Sequence, residues 1–208
     1  KLPLRIAAYA VATGISILFV YPYWWMLLGA FRSTEAILTS PLRLWPESFD
    51  WRVAHDIARI AGVDLWRYIF NSVFVTTAST LLAVVVTALG AYALVRRRDD
   101  QAFKVLRASF LVTIMYPYML LVIPVYIVMF KLSLLGSYAG IILFLAAGPV
   151  QFFLFEQFFR SIPQEVIEAG IIDGANEAQI LFRIVMPMAA PVVATVAIIT
   201  FLLNWAQW

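Results

Sequence analysis

The chain has no cysteine and a single histidine in 208 residues, and its only lysines are Lys1, Lys104 and Lys131. Without cysteine, disulfides and thiolate metal sites are excluded. His55 stands without a cysteine or a second histidine near it, which disfavours a zinc site or a catalytic dyad there. No Gly-x-x-x-x-Gly-Lys-Ser/Thr string surrounds any lysine, which removes the phosphate cradle of an ATPase. Charge is scarce as well. Asp, Glu, Lys and Arg make up 13% of the chain and leave a net charge of +3, where a soluble domain is about one quarter charged.

What fills the chain instead is apolar. Hydrophobic residues reach 63% and the mean hydropathy is +0.90. Several runs are long enough for the roughly 20 helical residues that a hydrocarbon core requires. Near-continuous Leu/Ile/Val/Ala runs are incompatible with the alternation of a transmembrane barrel, and lipid forces every backbone group to be satisfied internally. The fold class expected is an all-α polytopic membrane protein.

Five spans are predicted, at about 6–31, 69–95, 106–130, 138–158 and 189–208. The first ends among Tyr21, Pro22, Tyr23, Trp24 and Trp25, aromatics that favour the headgroup level. An outer loop, 32–66, follows. In it Arg52, His55, Asp56 and Arg59 share one face and Trp51, Ala54, Ile57, Ala58 and Ala61 the other, predicting a short amphipathic helix on the interface. Pro117 and Pro124 are expected to kink the third span. The chain opens on Lys1 and stops at Trp208 inside an apolar run, so a longer protein is expected.

The basic residues set the orientation. With the amino end inside, Lys1, Arg5, Arg96, Arg97, Arg98, Lys104, Arg107, Arg160 and Arg183 are internal, against Arg32, Arg43, Arg52, Arg59, Arg67 and Lys131 outside. The tightest cluster, Arg96 to Arg98, abuts the membrane on the internal side and reads as a topology determinant touching anionic lipid. This basic pattern belongs to a membrane protein and not to a nucleic-acid partner.

The one long polar stretch of the second half, 160–187, is then a cytoplasmic loop. Ser161 with Gln164 and Asn176 with Gln179 have capping-box spacing; Asp173-Gly174 breaks the run between them, Glu177 complements the dipole of the second helix, and Pro187 ends it. Two short helices result. Their apolar residues Val166, Ile167, Ile180, Leu181, Ile184 and Val185 are too few to span and too hydrophobic to float, so they must pack on the membrane domain or on a partner. Taken alone, this pattern is satisfied by a loop that packs on its own spans.

The string Glu168-Ala169-Gly170-Ile171-Ile172-Asp173-Gly174-Ala175, followed by Phe182, Ile184, Pro187 and Pro191, resembles the EAA loop of ABC-importer permeases. Gly170 stands where that pattern has its second alanine. Phe158-Phe-Arg-Ser-Ile-Pro163, Asn71-Ser72, Ala91-Tyr-Ala93 and Pro124-Val-Tyr126 extend the resemblance to the carbohydrate importers, in particular the second permease of the maltose-transporter type. The resemblance implies a type I ABC-importer transmembrane domain in a bacterial inner membrane, with a sixth span after the fifth. It implies a second, different permease, two ATPase subunits that bind the ATP and magnesium, and an extracytoplasmic solute-binding protein. It also implies that Glu168, Ala169, Gly170, Asp173, Gly174 and Ala175 couple to the ATPase. Glu168 would place a charge in the ATPase cleft, Gly174 would allow a tight turn, and Asp173 either caps locally or contacts the partner.

Polar groups at membrane depth are candidates for a translocation path or for helix-helix bonding. Asn71, Ser72, Tyr116, Asn204 and Gln207 qualify, with Asn204 and Tyr116 foremost. A membrane enzyme is disfavoured because Glu165, Glu168, Asp173 and Glu177 have no histidine or lysine beside them. A secondary transporter is disfavoured because charges sit almost entirely in loops or at span ends. A permease for polyamines, phosphate or amino acids would share the loop and differ in the flanking resemblance.

Overall fold

The structure, a computed structural model, describes residues 2–41, 43, 45, 49, 64–146 and 148–207. The amphipathic helix expected around Arg52, His55, Asp56 and Arg59, and the terminal Trp208, lie outside the described residues. Every regular element among the described residues is a helix. Two of these, Pro3–Gly29 and Leu65–Arg96, are long and apolar enough to cross a membrane singly, and three bent pairs qualify when each is taken as one span.

The chain divides into two compact units, 1–68 and 69–208. In the first, α1 (Leu2–Gly29) carries Pro22 internally. It leaves Leu4, Tyr9, Leu18, Phe19 and Tyr23 exposed, a surface suited to hydrocarbon. After it comes the short α2 (Thr34–Thr39), capped by Ser33. Arg32 is buried against this turn, its guanidinium donating to the carbonyls of Ala36, Ser40 and Arg43.

The second unit is built on α3 (Leu65–Arg96), about 48 Å long at 1.5 Å per residue. Its buried face is small and hydroxylated: Thr76, Ser79, Thr80, Ala83, Thr87, Ala88 and Ala91. Small residues let neighbouring backbones approach, which replaces the hydrophobic drive that lipid cannot supply. Leu81, Val85 and Val86 are exposed on the other side.

The third expected span is broken, not merely kinked. α4 (Gln101–Met115) stops before Pro117 and α5 (Tyr118–Lys131) leaves at an angle of 117°. Tyr116 takes extended angles, φ −79° and ψ 127°, because the residue before proline is pushed out of the helical region. Pro124 stays inside α5. The fourth expected span is likewise two helices, α6 (Tyr138–Leu145) and α7 (Pro149–Ser161), bent by 47° at the Gly148-Pro149 step. α8 (Gln164–Ile172) follows. A continuous run, α9 (Glu177–Met188), then bends by 75° into α10 (Ala190–Trp205).

The core lies at the end of this unit that carries Arg96 and α8. Phe152, Phe155 and Phe159 of α7 pack with Ala88, Ala91 and Tyr92 of α3, Ile167 of α8, and Ile180, Leu181 and Val185 of α9. Phe110 of α4 stacks on Phe152 at 4.5 Å between ring centroids, and Tyr92 meets Phe159 edge-on at 6.2 Å. The loop helices are thus part of the core.

Candidate functional site

The turn between α8 and α9 is fixed by backbone chemistry. Gly174 has φ +79°, a left-handed conformation that glycine adopts without a Cβ penalty. The Gly174 N–H donates to the Ile171 carbonyl and the Ala175 N–H reaches back to Gly170, each at 3.0 Å. These two bonds form a Schellman motif that satisfies the last carbonyls of α8. Asp173 is the C-cap, its N–H bonded to Ala169. Asn176 and Gln179 then form a complete capping box, each side chain accepting from the other's backbone N–H at 2.9 Å.

The other expected box is absent. Pro163 is the N-cap of α8, with no side-chain cap bond. Ser161 closes α7 instead, its hydroxyl donating to the Phe158 carbonyl at 2.7 Å. The Ile162-Pro163 step holds the chain extended, so Ser161 sits too early to cap α8.

α9 is not a simple α-helix. Residues Ile180–Val185 form a π turn, and the Met186 N–H reaches Leu181, five residues back. Pro187 has no N–H to give the Arg183 carbonyl, so the wider turn falls where the α pattern has lost a donor.

This framework gives α8 two faces. Ile167 and Gly170 are buried against α9, while Glu165, Glu168, Ala169, Ile171, Ile172 and Asp173 are exposed. Ile172 is 84% exposed and Phe182, on α9, 63%. Gly170 is a contact point: a Cβ there would lie 2.6 Å from Ile184 Cδ1, with its next neighbour, Ile180, at 3.8 Å. An ordinary carbon contact needs about 3.5–4.0 Å. The isoleucine methyl thus occupies the space that the alanine of the family pattern would take.

Two ionic ties anchor the loop end of the unit. The Arg96 guanidinium donates to Glu177 at 2.7 and 3.3 Å, and the Tyr92 hydroxyl donates to the same carboxylate at 2.8 Å. α3 is thereby joined to the start of α9. The Arg96 bond, and after it the Tyr92 bond, hold the Glu177 carboxyl below its ordinary range. The second tie is centred on Glu156 of α7, whose side chain is 3% exposed and pairs with Arg107 of α4 and with Arg160 one turn on.

Sequence reasoning missed both ties. It read Glu177 as complementing the helix dipole and Arg96 only as a topology signal. Glu156 did carry a signal: one carboxylate inside Phe152-Phe-Leu-Phe-Glu-Gln-Phe-Phe159 is an ionisable group in an apolar run, which implies a partner.

The residues suggested for a translocation path are dispersed. Asn204 is buried on α10 and donates to the Ser79 hydroxyl of α3 at 2.9 Å. Asn71 accepts from the Tyr138 hydroxyl at 2.8 Å. Ser72 stands next to it in α3. Tyr116 is exposed at the α4–α5 break. Gln207 lines an apolar hollow of about 280 Å³ with Val122, Tyr126 and Phe144. Among the described residues no hydrogen bond joins any two of these four path candidates, Asn71, Tyr116, Asn204 and Gln207. The hydroxyls of Thr76 and Thr80 on α3 and of Thr200 on α10 are buried without hydrogen-bond partners, a feature that sequence pattern alone did not single out. No group of three His, Asp or Glu side chains among the described residues could hold a metal ion.

Residues 87–207, which include α8, α9 and α10, match the family model described as binding-protein-dependent transport system inner membrane component. The diacetylchitobiose uptake system permease protein of Streptomyces coelicolor is 32% identical over 195 residues, covering 93% of this chain; the chain spans 63% of that relative's length. The sn-glycerol-3-phosphate transport system permease protein of Rhizobium meliloti is 31% identical over 201 residues, covering 92% of this chain and 70% of the relative. The lactose transport system permease protein of Rhizobium radiobacter is 30% identical, covering 98% and 72%. A solved structure, the crystal structure of a bacterial ABC transporter involved in the import of the acidic polysaccharide alginate, superposes with a TM-score of 0.82 at 26% identity. That match covers 98% of this chain and 71% of the other.

Proposed function

The chain belongs to the family of binding-protein-dependent transport system inner membrane components, and from that premise we propose that it is a membrane-spanning permease subunit of an ABC importer for a sugar or a related solute. Three similar permeases are named for diacetylchitobiose, sn-glycerol-3-phosphate and lactose, which supports the solute class. The partners are a second permease, two ATPase subunits that bind ATP and magnesium, and an extracytoplasmic binding protein. The amino end faces the cytoplasm, in keeping with the basic residues near Arg96 and Arg160.

The observation that carries the reading is the two-faced α8. Its buried side, Ile167 and Gly170, is locked to the core, while Glu168, Ala169 and Ile172 stand free between a Schellman turn and an extended Pro163. An apolar side chain left 84% exposed outside the spans fits a cleft in a partner. A displacement of this surface reaches α3 through Glu177 and α10 through α9, so neighbouring spans move with it as rigid bodies. The ATP-driven switch between inward-facing and outward-facing states is transmitted there.

Ile172→Asp separates docking from folding, because the side chain has few intrachain contacts to lose. In the full-length complex, the variant should keep its unfolding temperature and lose the co-purifying ATPase subunit, or lose binding-protein-stimulated ATP hydrolysis. Normal ATPase retention and coupled transport in both Ile172→Asp and Glu168→Lys would sink the assignment.

A further inference from the structure

Beside the Glu156 tie lies a groove of about 390 Å³, lined by the end of α3, the first half of α4 and Arg160 of α7. Its rim carries Arg98, Lys104, Arg107 and Arg160. One carboxylate, Glu156, serves both Arg107 and Arg160. Asp99 meets Arg98 only at 4.0 Å and is itself 96% exposed. Lys104 has no ion pair among the described residues. Four cations against two carboxylates leave two positive charges in excess.

The groove is also graded in polarity. On α4, Lys104, Ala108 and Leu111 follow at i, i+4 and i+7, all exposed, so they form one stripe from a cation to an apolar side chain. Leu94 and Phe103 complete the apolar lining. Arg97 lies over the Phe103 ring at 5.5 Å.

We infer that this groove binds the headgroup of an anionic phospholipid, its phosphodiester among Arg98, Lys104 and the shared guanidinium pair and its acyl chain along Ala108 and Leu111. A free phosphate satisfies the rim and leaves the apolar stripe unused. A zwitterionic lipid satisfies the stripe and leaves the charge excess unmet. Only an anion carrying a hydrocarbon tail matches both. The site extends beyond the Arg96 to Arg98 cluster and draws most of its charge from α4 and α7. It does not depend on the docking role of α8.

The test is native mass spectrometry of the purified full-length complex in detergent, titrated separately with phosphatidylglycerol and phosphatidylcholine, with inorganic phosphate as competitor. Wild type should retain phosphatidylglycerol preferentially. Lys104→Glu changes the local charge by two and should reduce that retention on the order of tenfold, since each basic residue near an anionic surface contributes several-fold. Arg98→Glu should act in the same direction, and Lys104→Arg should retain wild-type binding, which separates lost charge from lost fold. Equal retention of both lipids, unchanged retention in Lys104→Glu and Arg98→Glu, or full displacement by millimolar phosphate would each overturn the inference.

Discussion

Gly170 and Ile184 offer a measurable test of how α8 is seated. A Cβ at position 170 would stand 2.6 Å from Ile184 Cδ1, and every other neighbour lies at 3.8 Å or beyond. Gly170→Ala gains about 1 kcal/mol of helix propensity. It must also move one methyl by about 1 Å to restore an ordinary contact, and forcing an isoleucine off its rotamer costs about 0.5–1.5 kcal/mol. The single change should therefore be close to neutral. Ile184→Val removes Cδ1 alone and should cost about 0.5–1.5 kcal/mol. Combined, the alanine methyl takes the vacated space without a clash, so the pair should be more stable than the sum of the two by about 1 kcal/mol or more. For a chain of this size, about 1 kcal/mol shifts the unfolding midpoint by roughly 2–4 °C. Tryptophan-fluorescence unfolding in detergent, at one heating rate for all four proteins, reads that difference. Strict additivity within about 1 °C, well inside that shift, would show that the two residues do not compete for the same space, and the packing of α8 on α9 would have to be redrawn.

Glu156→Ala strands Arg107 and Arg160 without a carboxylate. Breaking a buried pair costs about 3–5 kcal/mol, but both arginines are about 40% exposed, which reduces the expected loss to about 1–3 kcal/mol; an unchanged unfolding midpoint would refute the tie. Asn204→Ala and Ser79→Ala should each cost about 0.6 kcal/mol and at most about 1.7, with a double mutant no worse than either. If Asn204 also meets solute, only its own substitution will change the transport KM. The Glu177 carboxyl is held below 4.5 by Arg96, so its stabilising contribution is complete above that value and lost as pH falls through the lower folded one. Amide protection of residues 176–180, compared with Glu177→Gln at each pH, should converge with the variant only once the pH has fallen below the ordinary carboxylate range, and a constant gap would count against the ion pair.

What was legible in the sequence was local. Asn176 and Gln179 bond within three residues of each other, and Gly174 is set by its own φ, so spacing alone located both. The packing of Ile167, Ile180, Leu181 and Val185 followed from their hydropathy. The broken spans were half legible. Pro117 and Gly148-Pro149 announce an interruption, but whether a proline kinks a helix or ends it depends on what its neighbours pack against, as Pro124 inside α5 illustrates. Contacts between residues distant in sequence were not legible. Arg96 and Glu177 are separated by 81 positions, and each had a sufficient local explanation as a topology signal and a dipole partner.

Gly170 shows how the two scales combine. Measured against the family pattern it is a departure, and by helix propensity alone it weakens α8. The glycine and the isoleucine fourteen positions later form one packing unit, in which the space lost from one side chain is filled by the other. Seating α8 this closely on the π turn of α9 means that a force on Glu168 or Ile172 meets Ile180 and Ile184 before it meets solvent or lipid. The π turn lacks the regular bond ladder of an α-helix and is separated from the 75° bend into α10 only by the short turn Met186–Met188. A bend beside an irregular turn is where rotation of α8 changes the tilt of α10 with the fewest hydrogen bonds broken. Restoring a regular ladder with Pro187→Ala should thus stiffen the joint, raising the unfolding midpoint while slowing transport per ATP hydrolysed; faster or unchanged coupled transport with the same stabilisation would place the pivot elsewhere.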